Sequence, residues 1–130
     1  MRLRIGILIL CLLLGSAYGC GRADSGQMAV KAGISVEVKT VPEVPQADRP
    51  TTFQVSLTEN GQPVEKASVS LHLEMQEMDH GDNEVKMQEN APGMYKGEGA
   101  FPMSGTWVAH IRVKRDQGTE STHVKLNVSD

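Results

Sequence analysis

The chain has 130 residues, a formal net charge of −3, 39% hydrophobic and 4% aromatic residues, and two cysteines. That length suits one domain. Mild acidity without a basic cluster argues against a nucleic-acid partner, and two cysteines cannot staple a disulfide-dense fold.

The first 19 residues read as a signal peptide. MRLR is basic, IGILILCLLLG is apolar, and SAYGC supplies small residues at a cleavage point. The apolar run of about eleven residues is shorter than the roughly twenty a membrane helix needs. Two readings of the cleavage are open. Ala17-Tyr18-Gly19-Cys20 matches a lipobox, with lipidation of Cys20 anchoring the chain in the membrane, although Tyr18 departs from the pattern. Ordinary cleavage beside Gly19 would instead leave Cys20 as a lone exposed thiol, a liability outside the cell. Removal of residues 1–19 takes away Arg2 and Arg4 and no acid, so the net charge moves from −3 to −5.

Residues 20–32 are small and polar and read as a flexible tether, which places the folded domain at 33–130. From Gly33 onward the apolar residues recur every second position. The inward series are Ile34, Val36 and Val38; Phe53, Val55 and Leu57; Ala67, Val69, Leu71, Leu73 and Met75; Trp107, Ala109, Ile111 and Val113; and Val124, Leu126 and Val128. Such alternation predicts half-buried strands. Shorter strands are expected near Val85–Gln88 and Met94–Phe101. Turns fall at Pro42–Pro50, at Asn60-Gly61, within Asp79–Asn83 and at Pro92-Gly93. About seven strands and no amphipathic helix predict an all-β fold, an antiparallel β-sandwich of immunoglobulin-like type. Trp107 stands on an inward parity and is expected in the core. The glycines at 93, 97 and 99 lie in a strand pattern, where close packing or a bulge accounts for them.

Three segments carry a resemblance. KAGISVEVKTVPEVP, FQVSLTENGQPVEKASVSLHLEMQEMDHG and GMYKGEGAFPMSGTWVAHIRV together resemble the YtkA-like domain, which is related to FixH. The most specific parts are Met78-Asp79-His80, Gly93-x-Tyr95 and Met103-Ser104-Gly105-Thr106-Trp107. The resemblance implies a small immunoglobulin-like sandwich outside the cytoplasmic membrane, lipid-anchored or tied to efflux adaptors. A link to copper handling and oxidase assembly is also implied, with an envelope protein as partner.

The residues themselves bear on that link. Thioether and imidazole are soft or borderline ligands that suit Cu(I), and methionine binds without losing a proton. The candidate metal ligands are Met78, His80, Met103, Met75 and Met87, with Met94 a sixth methionine. Met75 and Met87 also fit the inward parity, where methionine fills irregular gaps. Met78 and His80 fall where the strand pattern has stopped, so packing does not account for them. Convergence with Met103 requires the two breaks to lie at one end of the sandwich. Trp107 could cap such a site by a cation–π contact, although core packing is the better account of its inward parity. Asp79 and Asp82 read as turn residues. His72, His110 and His123 are on outward parity, and a cross-strand pair of His72 with His110 could form a weak secondary metal site.

No serine or cysteine lies near a histidine in a nucleophile motif, and no phosphate loop is present, so an enzyme is not expected. The sequence predicts an exported, lipid-anchored binding domain with possible Cu(I) as cofactor. The alternative is a metal-free protein-interaction module serving an envelope complex or efflux adaptor.

Overall fold

A computed structural model describes residues 27–30, 33–76 and 83–130, the first four by their backbone. The expected signal peptide, Cys20, Met78 and His80 lie outside the described residues. Among the described residues there are ten strands: β1 (Gln27–Val30), β2 (Ile34–Val41), β3 (Pro50–Glu59), β4 (Gln62–Pro63), β5 (Ser68–Met75), β6 (Glu84–Lys86), β7 (Gln88–Ala91), β8 (Met94–Ala100), β9 (Gly105–Arg115) and β10 (Gly118–Val128). All named pairings are antiparallel. One sheet runs β1-β2-β3-β8-β7 with β4 beside β3; the other runs β10-β9-β5-β6. From β2 onward this is the A-B-E-D against G-F-C-C′ arrangement of an immunoglobulin-like sandwich.

Every inward series expected from the alternation is buried except its ends, Ala67 and Met75, which pack half-buried against the core. Two boundaries differ from the sequence reading. Residues 27–30, read as tether, form β1, so the sandwich includes Gln27–Val30. Their backbone pairs with the outer edge of β2, from Gln27 opposite Val38 to Val30 opposite Ser35. An edge left bare exposes a row of unpaired backbone groups, and a paired edge needs no apolar pattern of its own. The second difference is at Val85–Gln88, which divides between sheets. β6 pairs with β5, Met87 N still donates to Val69 O at 3.0 Å, and Gln88 then begins β7 beside β8.

That crossing closes one side of the sandwich and depends on small residues in β8. A Cβ on Gly97 would stand 2.6 Å from Met87 Sδ and 2.9 Å from Lys86 O.

The two ends of the sandwich are tied differently. At the end holding Glu59, the Arg115 guanidinium bonds Glu59 through both nitrogens, at 3.1 and 3.3 Å, and Glu120 at 2.6 Å. These bonds join β3 to the β9–β10 hairpin and hold the guanidinium pKa above its usual value. Near the same end, the buried Tyr95 hydroxyl donates to Val64 O at 2.8 Å and accepts from Ala67 N at 3.0 Å.

Burial raises the Tyr95 pKa above 10.0; the Ala67 N–H opposes that shift, and the charges of Glu89 and Glu65 add to it. A folded-state pKa above the unfolded one gives a stabilisation complete below 10.0 and lost as pH rises through the folded value. Tyr95→Phe should therefore cost about 1–3 kcal/mol at neutral pH, because the buried Val64 carbonyl and the part-buried Ala67 N–H lose their partner. Urea midpoints for both proteins above pH 10.0 should then converge. A gap independent of pH would remove Tyr95 as the source of the alkaline loss.

Candidate functional site

The site is built at the opposite end, around Trp107. β5 ends at Met75, which is the cross-strand partner of Trp107. Gln76 N donates to Thr106 O at 3.2 Å, and Leu73 N donates to Asn83 O at 2.9 Å. The chain therefore leaves at Gln76 and re-enters at Asn83 on this one end, and the residues between include Met78 and His80.

The second break folds over the same end. Trp107 is 0% exposed, its ring edge meets Phe101 at a centroid distance of 5.3 Å, and its Nε1 donates to Met103 O at 3.1 Å. The indole N–H thus satisfies its one donor and holds the 102–105 turn against the core, where Met103 packs half-buried. Gly105 has φ +134°, and a Cβ there would stand 2.7 Å from Met75 Cε. The absent side chain leaves room for the Met75 thioether to lie over the turn that carries Met103.

The two breaks thus share an end, which was the condition for convergence. Met75 and Met103 are brought to the Trp107 end. Met87 is not: it is 8% exposed, bonded to Val69 and packed over Gly97. Val69 lies six residues from Met75 along β5, about 20 Å at strand rise, so Met87 acts in the core. Met94 is exposed beside Gly93 at the far end. Trp107 is itself a core residue. The parity of Met75 gave its burial but not its neighbour; only the pairing of β5 with β9 sets it beside the Met103 turn.

This end also carries apolar surface. The connection between β2 and β3 is fixed to the C-terminus by Ser129 N to Pro45 O and Ala47 N to Ser129 O, both 2.9 Å, and to the Trp107 end by Asp48 N to Phe101 O at 2.8 Å. Beside it Val41 and Val44 are 55% and 56% exposed.

On the outer face of β5, β9 and β10, His110 stands directly opposite His72 on one side and His123 on the other. Ring centroids are 6.3 and 6.0 Å apart. Outward parity was legible for each ring, but not their alignment in one row.

The fold and its sulfur-bearing end describe a small immunoglobulin-like sandwich with thioethers gathered at one end and a histidine row on one face. The chain belongs to the YtkA-like family, whose model matches residues 28–112. Membership supports an envelope-associated domain. Among solved structures, a DUF4426 family protein from Pseudomonas aeruginosa is similar over 83% of this chain and 98% of its own, with a TM-score of 0.59 and 11% identity. The soluble domain of PmoD from Methylocystis sp. is similar over 78% of this chain and 96% of its own, with a TM-score of 0.53 and 12% identity. Both likenesses concern the fold. No curated protein matches the chain.

Proposed function

We propose that this is an exported, non-catalytic envelope domain, anchored through lipid on Cys20, that takes up Cu(I) at its Trp107 end and hands it to an envelope partner. The ligands are Met78, His80 and Met103, with Met75 beside them. The observation that carries this reading is the meeting of Met75 and the Met103 turn at the end from which the Met78–His80 segment leaves. Neutral thioethers suit Cu(I), and a set completed by residues of a connecting segment can open for transfer.

Titration of the protein with Cu(I) under reducing conditions, against a competing chelator, tests it. Changing Met78 and His80 together to alanine should weaken binding by at least about tenfold, the lower bound seen even when groups behind the ligands are lost. Met94→Ala, at the far end, should leave binding unchanged. Affinity no better than that of a generic methionine peptide, or a double variant that binds as well as the parent, would defeat the reading.

The exposed Val41 and Val44 at the same end favour a second reading, a metal-free interaction module for an envelope complex or efflux adaptor. In that case Met103 is an apolar anchor, and partner capture survives chelation.

A further inference from the structure

The three-histidine row lies on a different surface from the sulfur-bearing end. We propose that His72, His110 and His123 form a separate site for a borderline divalent cation of the Zn²⁺ or Cu²⁺ class, with Glu74 as a positioning residue.

Register is the first ground. His110 on β9 is the direct partner of both His72 on β5 and His123 on β10, so three imidazoles project side by side from adjacent strands. With metal–nitrogen bonds of about 2.0–2.1 Å, two imidazoles on one tetrahedral cation hold their centroids about 5 Å apart. The observed 6.3 and 6.0 Å exceed that by about 1 Å. No three His, Asp or Glu groups among the described residues are already gathered at ligand distance. Closure requires His72 and His123, which stand on strands either side of β9, to turn inward over His110, and the outer torsion of histidine is broad.

The second ground is independent and lies behind the middle ring. His110 Nε2 is 3.1 Å from Glu74 Oε2. A carboxylate only accepts, so Nε2 carries the proton, and the neutral form that ligates presents its lone pair at Nδ1. Metal-binding histidines show this arrangement, in which a carboxylate on the far nitrogen fixes tautomer and orientation. It also suits the position: the middle ligand, beneath the cation, binds through its near nitrogen while His72 and His123 lean in from either side. Glu84, opposite His72, lines the same depression and supplies negative charge. Arg112 lines it too, two residues along β9 from His110 and on the side away from Glu74.

Three imidazoles leave a fourth position for water. Imidazole must be unprotonated to ligate, so binding weakens as pH falls. The donor set excludes neither Zn²⁺ nor Cu²⁺ but is harder than the thioether set, so the two sites differ in preferred metal.

The test uses the full chain in detergent, titrated calorimetrically with Zn²⁺, together with X-ray absorption of the loaded protein. The expected absorption spectrum shows imidazole and oxygen neighbours and no sulfur. His110→Gln should weaken Zn²⁺ binding by about tenfold or more, and Glu74→Gln by about tenfold. Glu74→Gln should also shift the His110 ring nitrogen resonances away from the Nε2–H tautomer before any metal is added, which a merely structural role would not do. All these positions are on the exposed face, so the variants should fold as the parent does. Changing Met78 and His80 to alanine should leave Zn²⁺ affinity intact, which separates failure here from failure of the Cu(I) reading. Zn²⁺ binding indifferent to His110→Gln, or a sulfur neighbour in the spectrum, overturns the proposal.

Discussion

Trp107→Ala is expected to lower stability by about 3–5 kcal/mol, read as a fall in urea midpoint at constant slope. Trp107 is fully buried, contacts Phe101 edge to face and bonds the Met103 carbonyl. Truncation therefore removes the largest core side chain, opens a cavity and frees a half-buried carbonyl at once. Folded domains are stable by roughly 5–15 kcal/mol in total, so the variant should sit near the edge of folding at 37 °C. Trp107→Phe keeps most of the volume but loses the N–H, and should fall between the two. A loss below about 1 kcal/mol for the alanine variant would contradict the packing described.

Gly97→Val should be the next most damaging change, at about 1–3 kcal/mol or more from overpacking. The thioether of Met87 can swing aside, but Lys86 O is backbone and Val85 Cγ1 is also within 2.9 Å of the first added carbon. The branch atoms of valine would then push β8 from β6 where the chain changes sheets. Pairing Gly97→Val with Met87→Ala should recover only part of the loss, because the carbonyl contact remains. Full recovery in that double variant would show that only side-chain crowding was at stake.

The sandwich was legible because its strands are half-buried: alternation records burial directly, and the inward series from Ile34 to Val128 supply most of the core, which Val64, Val85, Met87, Tyr95 and Phe101 complete. β1 was not legible, since four residues are too few to carry a period-two signal and the pairing of their backbone with β2 leaves no mark in the sequence. The change of sheet at Met87 was equally hidden, because period two holds on either sheet. At the candidate site, strand ends located the two breaks but not their shared end, which follows from the pairing of β5 with β9. The histidine row was half accessible. His110 and His123 are placed symmetrically about the tight turn at Asp116–Gln117, so a two-residue hairpin there would have aligned them. His72 joins through a contact between distant strands, for which one sequence gives no register.

The β9–β10 hairpin has a kinetic consequence. Its eleven consecutive pairs close over two turn residues, so its loop entropy is small and it can zip on the microsecond scale. By contrast β3 meets β8 only after the intervening chain has crossed to the other sheet and back, and such non-local pairing slows folding. The hairpin that carries Trp107, His110 and His123 is thus the natural starting point of folding. Strands β1 and β7 lie at the rims of the other sheet, and if they dock after that step, changes in them should act on the rate of unfolding more than on the rate of folding.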